Sequence, residues 1–90
     1  MKIVIDHNTS VLTDSAGNIF VTRLGMTGRI QTYGISTKEY SPLDIATWLY
    51  KRSNKLIQDE FPNMTPDDRE FLMTGITPEE WKAMFPKGDK

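Results

Sequence analysis

The residues able to carry acid–base or metal chemistry are few in this 90-residue chain. Neighbouring carboxylates occur at Asp67-Asp68 and at Glu79-Glu80, and His7 is the single histidine. Glycosidase-like catalysis needs two carboxyl groups across a cleft, whereas each acidic pair here follows a Thr-Pro dipeptide, where carboxylates stabilise a helix N-terminus. One histidine without any cysteine cannot assemble a metal site. The pattern predicts a protein that is not an enzyme and that binds no cofactor or metal.

A basic cluster beside a tryptophan is the first candidate binding surface. Lys51, Arg52 and Lys55 belong to the segment KRSNK, and Trp48 precedes them by less than two helical turns. Such a surface suits an acidic protein partner, or phosphate groups with a base stacked on the indole. The plainer interpretation is a solvated helix face at the rim of the core, followed by an acidic stretch. We predict these four residues as partner-binding residues.

The elements that would position these side chains begin with a β-meander over residues 1–40. Residues 2–6 and 18–24 are rich in β-branched and aromatic residues and are bounded by turn formers, while 10–14 and 29–36 are weaker strand candidates. Glycines in the two later connections suit hairpin turns. We expect three or four antiparallel strands, with one face covered by helices and the other partly open to solvent or a partner.

The last predicted strand supplies a second candidate surface. Gln31 and Tyr33 would share one face of this strand, and Arg29 precedes them. Neither edge of the sheet carries strong protection against pairing, so a partner strand, or a homo-oligomer formed through the sheet edge, is an alternative to a solvated edge. We predict Arg29, Gln31 and Tyr33 as a second partner surface.

A long helix is predicted over residues 41–61. The tetrapeptide SPLD at 41–44 places a hydroxyl before a proline and a carboxylate three residues later, which is a strong helix start. Pro62 disfavours helical geometry at Phe61 and would end the helix. The apolar stripe expected to pack on the sheet consists of Ile45, Ala46, Leu49, Tyr50, Leu56 and Ile57.

A capped helical pair is predicted over residues 65–85, followed by a polar tail over 86–90. The same helix start occurs twice, as TPDD at 65–68 and as TPEE at 77–80. Between them stands Gly75, where a left-handed residue would end the first helix. The structural residues predicted for the hinge of this helical lid are Gly75, Ile76 and Trp81.

The helical pair is also similar, over about twenty residues, to the DNA-binding helix-turn-helix family, in which a turn glycine precedes a capped recognition helix. That resemblance would place Pro78, Glu79, Lys82 and Ala83 at the recognition positions. Acidic residues at the start of the helix oppose binding to a polyanion, and Pro86 would cut the helix short. Nucleic-acid binding, through this pair or through the basic helix, is therefore the alternative to protein binding.

The composition predicts one α+β domain over residues 1–90. The net charge of -1 gives no general attraction to nucleic acid or to anionic membranes, and a hydrophobic content of 38% argues against disorder. No apolar stretch approaches the length that spans a bilayer, and the N-terminal apolar run is too short for a signal peptide. We expect a soluble cytoplasmic protein without a membrane partner.

The segment REFLMTGITPEEWKAMF at 69–85, with PNMTPDD before it, resembles the C-terminal ending of small proteins encoded by bacteriophages. The resemblance carries no functional residue across. It implies a bacterial cytoplasm as the setting and a host-directed or phage-assembly role. The leading hypothesis is a non-enzymatic interaction protein that binds a host protein or complex and inhibits it. Nucleic-acid binding is the alternative, and a sponge for a small nucleotide signal, formed by oligomerisation of the sheet, is the third hypothesis.

Overall fold

Four antiparallel strands form a sheet in the computed structural model of the chain, which describes residues 1–36, 39–51 and 56–84. The described strands are β1 (Lys2–Asp6), β2 (Thr9–Thr13), β3 (Ile19–Leu24) and β4 (Ile30–Ile35). Each strand pairs with the next along the chain, so the order across the sheet is β1-β2-β3-β4. The predicted meander is confirmed, with β1 and β4 at the two edges of the described sheet.

Helices follow the sheet along the chain, which confirms the α+β fold class. The described helices are α1 (Pro42–Lys51), α2 (Ile57–Glu60), α3 (Pro66–Thr74) and α4 (Pro78–Met84). The stretch predicted as one helix over 41–61 is divided, because Leu56 has an extended backbone with ψ of 144° immediately before α2. This extended residue faces solvent, while Ile57 and Phe61 after it are buried in the core.

The helices cover one face of the sheet. Side chains alternate between the two faces of a strand, and the register aligns Ile3, Val11, Val21 and Tyr33 across the four strands on the covered face. Each fully buried aliphatic side chain contributes about 1.5–3 kcal/mol to folding. The buried hydrophobic core consists of Val11, Ile19, Val21, Ile35, Ile45, Ala46, Leu49, Ile57, Phe61, Met64, Phe71 and Leu72.

Reciprocal side-chain caps fix the start of α1 and of α4. At α1, the Asp44 amide donates to Ser41 Oγ over 3.1 Å, and the Ser41 amide donates to Asp44 Oδ2 over 3.2 Å. At α4, the Glu80 amide donates to Thr77 Oγ1 over 3.1 Å, and the Thr77 amide donates to Glu80 Oε1 over 3.4 Å. Each cap satisfies amides that lack an intrahelical acceptor, an effect typically worth about 1 kcal/mol.

The buried stripe of α1 is narrower than the sequence predicts. Ile45, Ala46 and Leu49 are buried, whereas Tyr50 is 73% exposed. Tyr50 lies on the flank of α1 beside β1, which is the edge strand of the described sheet. Because the described sheet ends there, this flank of the helix has no further described strand to pack against.

Asp68 joins the end of β4 to the start of α3. Its side chain is completely buried, and Oδ2 accepts hydrogen bonds from the Ser36 amide and hydroxyl over 3.0 and 2.9 Å. Its own amide donates to Thr65 Oγ1, the cap of α3. Burial first, and then the interaction with the Asp68 side chain, raise the pKa of Tyr33 above its usual value. The helix-start carboxylate expected from the sequence is thus also a tertiary contact.

A backbone contact between Gly25 and Gly75 joins the β3–β4 turn to the end of α3. Gly75 ends the helix with φ of 73°, the left-handed conformation predicted for it. A Cβ on Gly75 would overlap the Cα of Gly25, and a Cβ on Gly25 would lie 2.5 Å from the Gly75 carbonyl oxygen. The Met26 amide beside this contact donates to the Thr74 carbonyl over 2.8 Å. The turn and the α3–α4 corner therefore pack as one unit.

Candidate functional site

An open apolar groove of about 310 Å³ lies between β1 and α1, and we call it the β1–α1 groove. Its volume is at the lower end of the range for ligand pockets. Two of its large apolar side chains are mostly exposed: Leu43 at 63% and Tyr50 at 73%. The groove is lined by Ile3, Val4, Ile5, Leu43, Ala46, Thr47, Tyr50 and Lys51.

The spacing of residues along the two elements produces this groove. Leu43, Thr47 and Tyr50 are separated by four and three positions, so they follow one flank of α1. Ile3 and Ile5 alternate along β1 on the face that the helices cover. The Ser41 cap holds the first turn of α1, which contains Leu43, at the end of the groove.

The outer edge of β1 presents backbone groups that no described strand pairs. Met1 and Thr13 exchange two hydrogen bonds, from the Thr13 amide over 2.8 Å and from the Met1 amino group over 3.2 Å. Hydrogen-bonded pairs alternate with non-hydrogen-bonded pairs in an antiparallel ladder. The N–H and C=O groups of Lys2 and Val4, which face Leu12 and Ser10 across the ladder, therefore point away from β2.

A positive charge lies at the end of the groove. Lys51 is the charged residue among those that line it, and it also lines a smaller neighbouring pocket of about 170 Å³ with Thr47, Trp48 and Glu60. The indole Nε1 of Trp48 is buried and has no hydrogen-bond partner among the described residues. The groove thus combines apolar walls, an unpaired strand edge and a lysine at one end.

Two of the four residues predicted on the basic helix are described, and both lie at this site. Trp48 is half-buried against the core, and Lys51 is exposed at the last position of α1. Arg52 and Lys55 lie outside the described residues. The partner-binding role of these four residues stays a prediction, now located beside the β1–α1 groove for Trp48 and Lys51.

The residues predicted for the second surface are not brought together as one exposed patch. Arg29 is exposed, and its Nη1 lies 3.7 Å from Glu80 Oε2. Tyr33 lies on the covered face, where its ring stacks on Phe71 with centroids 5.1 Å apart. Gln31 shares that face and is half-buried. A partner role for Arg29, Gln31 and Tyr33 stays a prediction.

The helical corner has the three predicted structural residues at its centre. Gly75 and Ile76 are buried, and Trp81 is half-buried. Of the positions that the helix-turn-helix resemblance assigns to recognition, Glu79, Lys82 and Ala83 are exposed, while Pro78 is half-buried.

The sheet face opposite the helices is a broad surface without a covering element in the described ranges. At its centre the hydroxyl groups of Thr22 and Thr32 are hydrogen-bonded over 2.7 Å. Apolar side chains surround this pair, as expected for a sheet with one face open to solvent or a partner. They are Val4, Leu12, Phe20, Leu24 and Ile30.

Comparison with known proteins gives no further assignment. No family model, curated protein or solved structure matches this chain. Of the helices in the described ranges, none combines the length and the apolar character that crossing a bilayer requires. Within the same ranges, no three His, Asp or Glu side chains converge as a metal site would require.

The sequence pattern indicates one end of the groove but not its walls. The charge of Lys51 makes it a candidate binding residue, whereas Leu43 belongs to a predicted helix start and Tyr50 to the predicted core stripe. Their common helix flank was a usable signal, because residues seven positions apart lie on the same side of a helix. What the sequence does not contain is the position of β1, which turns that flank into one wall of a groove.

Proposed function

We propose that the chain is a small non-enzymatic interaction protein, of the kind encoded by bacteriophages, that acts in the bacterial cytoplasm by binding and inhibiting a host protein or complex. The observation that supports the proposal is the β1–α1 groove, where exposed apolar side chains lie beside a strand edge that is unpaired in the described chain. Exposed apolar surface next to free backbone groups is typical of peptide-recognition sites.

The groove suits an extended segment of the partner. Such a segment would pair with the N–H and C=O groups of Lys2 and Val4 that no described strand pairs, and would continue the sheet by one strand. Every second side chain of a strand points to the same face. Apolar residues at alternate positions of the segment would therefore enter the groove between Ile3, Leu43 and Tyr50.

Charge selects among such segments. Lys51 lies at the end of the groove, and Trp48 lines the adjoining pocket. An acidic residue near one end of the bound segment would face Lys51, whereas a basic residue would meet a like charge. An exposed pair of this kind is worth about 0.2–1 kcal/mol, so it tunes affinity while the strand pairing and apolar contacts provide most of it.

The test uses fluorescein-labelled eight-residue peptides in which valine alternates with serine, and in which a terminal serine is replaced by glutamate or lysine. Fluorescence anisotropy with the wild-type protein should show the glutamate peptide binding several-fold more tightly than the lysine peptide. Lys51→Glu should reverse this order. Leu43→Asp should weaken all three peptides, since it places a charge in the apolar wall.

Met73→Asp is the matched control for Leu43→Asp, because Met73 is exposed on α3 and lies outside the groove. It should bind the peptides as the wild type does, and circular dichroism should show all variants folded. Equal peptide affinities in the wild type, Leu43→Asp and Met73→Asp would contradict the proposal.

Inhibition of a host protein is tested separately, by affinity capture from nuclease-treated bacterial lysate. A protein retained by the wild type and by Met73→Asp, and lost with Leu43→Asp, should be inhibited by the wild type in that protein's own assay. A mobility shift of random duplex or single-stranded probes that weakens steeply with salt, together with no nuclease-resistant partner, would instead favour nucleic-acid binding.

A further inference from the structure

We propose that β1 of a second copy of this chain pairs antiparallel with β1 of the first, about a two-fold axis that passes between the Val4 residues of the two copies. The sheets of the two copies would join into one continuous sheet, with α1 of each copy beside the junction. The inference rests on the proposed function only in using the same groove and edge. It implies that the groove is masked at high protein concentration and is free for a partner when the protein is dilute.

The backbone of β1 meets the geometric requirement for this pairing at Val4, which stands immediately before a shift of the β1–β2 register between Val4 and Asp6. Val4 faces Ser10 at a non-hydrogen-bonded position of the β1–β2 ladder, so its N–H and C=O point to the free edge. Across a two-fold axis, Val4 of each copy would lie opposite the same residue of the second copy and exchange two hydrogen bonds with it. A symmetric contact of this kind closes after two copies and leaves no further β1 edge exposed.

The side chains of β1 are self-complementary in this register. Lys2 lies two positions before Val4 and Asp6 lies two positions after it, with a shift of the β1–β2 register between Val4 and Asp6. The two-fold axis therefore brings Lys2 of each copy towards Asp6 of the other. Lys2, Val4 and Asp6 all line one depression on the open face of the sheet, which places the opposite charges on the same side. The contact therefore contains two identical ion pairs around an apolar centre.

The Asp6 side chain is already charged and hydrogen-bonded within one copy. Its Oδ1 accepts a hydrogen bond from the Asn8 amide over 2.7 Å, and that bond is the main reason why the pKa of Asp6 is lowered below its usual value. The side chain is thus ionised at neutral pH and is anchored by the turn that follows β1. Lys2 at the other end of the strand is exposed.

The covered face of β1 adds apolar contact to the same junction. Ile3 of one copy would come near Ile5 of the other, because these residues are one position either side of Val4. Leu43 and Tyr50, which are largely exposed on the flank of α1 beside β1, would come close to the second copy. Their burial would remove from water the apolar surface that one copy leaves uncovered.

The experiment is a charge exchange read by sedimentation equilibrium over a protein concentration series. Wild type should show a monomer–dimer equilibrium that weakens with salt. Lys2→Glu alone and Asp6→Lys alone should each raise the dissociation constant by at least about tenfold, since each creates two like-charge contacts. An equimolar mixture of the two variants should dimerise again as a heterodimer, because each contact then joins opposite charges.

Two further variants keep the result interpretable. Asp6→Asn retains an oxygen that accepts from the Asn8 amide but removes the charge, so it should weaken the dimer less than Asp6→Lys does. Lys82→Glu makes the same charge change as Lys2→Glu at an exposed position of α4 and should dimerise as the wild type does.

A wild type that stays monomeric at the highest concentration, or a mixture that gives no heterodimer while both variants are folded, would overturn the inference. Peptide binding could still be measured with the monomer. The peptide assay therefore tests the proposed function, and sedimentation tests the dimer, independently of each other. Conversely, loss of the glutamate-peptide preference leaves the sedimentation result unchanged.

Discussion

Two separate features of the structure require glycine at position 75. Its φ of 73° lies in the left-handed region, which side chains disfavour, and its Cα lies against the backbone of Gly25. Gly17 has only the first requirement, because its φ is 87° and a Cβ there would meet nothing within 4 Å. The two positions therefore separate the effect of backbone conformation from that of close packing.

We predict that Gly17→Ala lowers the free energy of unfolding by about 1–2 kcal/mol, the usual effect of a left-handed alanine. Gly75→Ala should lower it by a further 1–3 kcal/mol, roughly, because the new methyl group also displaces the β3–β4 turn. Urea unfolding followed by circular dichroism measures both changes. Similar losses of unfolding free energy in the two variants would mean that the β3–β4 turn moves away from the new methyl group without a further loss of stability.

Strand β4 and helix α3 are joined through the buried carboxylate of Asp68. Ser36, which follows β4, donates two hydrogen bonds to it. Tyr33 within β4 interacts with the same carboxylate, and its ring stacks on Phe71. Ionisation of Tyr33 would place a second negative charge beside this carboxylate. The folded protein therefore retains the Tyr33 proton more strongly than the unfolded chain does.

This difference predicts a loss of stability at alkaline pH. Because the folded-state pKa of Tyr33 is raised, its contribution is fully present below the unfolded value of about 10 and is lost progressively as the pH rises above that value. In Tyr33→Phe, the free energy of unfolding should fall less steeply between pH 9 and pH 11, roughly, than in the wild type. Urea titrations at a series of pH values test this, and parallel declines would exclude Tyr33 as the cause.

Local signals explain which elements the sequence predicted correctly. Features that depend only on neighbouring residues can be predicted without a structure. They include the strand pattern, the caps at Ser41 and Thr77, and the left-handed Gly75. The width of the buried stripe on α1 depends on where the sheet ends. Exposure of Tyr50, and with it the wall of the groove, could therefore not be read from helical periodicity alone.

The core draws on both the sheet and the helices, so neither half buries its apolar surface alone. Val11 and Val21 come from the sheet, Ile45 and Leu49 from α1, and Phe71 from α3, and all belong to one cluster. Small domains with one shared core usually unfold in a single cooperative transition. The helical corner should therefore not melt separately from the sheet.

The two tryptophans allow this to be tested, since Trp48 reports on α1 and Trp81 on α4. We predict that Trp81→Phe and Trp48→Phe, each with one remaining fluorophore, show urea midpoints for fluorescence that coincide with their own far-ultraviolet circular dichroism. A fluorescence transition of the Trp48→Phe variant at lower urea than its loss of secondary structure would show that α4 detaches first.

The contact between Gly25 and Gly75 also has a consequence for recognising relatives of this chain. Each glycine excludes a side chain on the other, so a substitution at either position would have to be accompanied by a shift of the whole turn. Sequences that share this fold are therefore expected to keep both glycines while the strands and helices around them diverge. The pair, together with the Thr-Pro helix starts on either side of the second glycine, defines a pattern with which distant homologues could be sought.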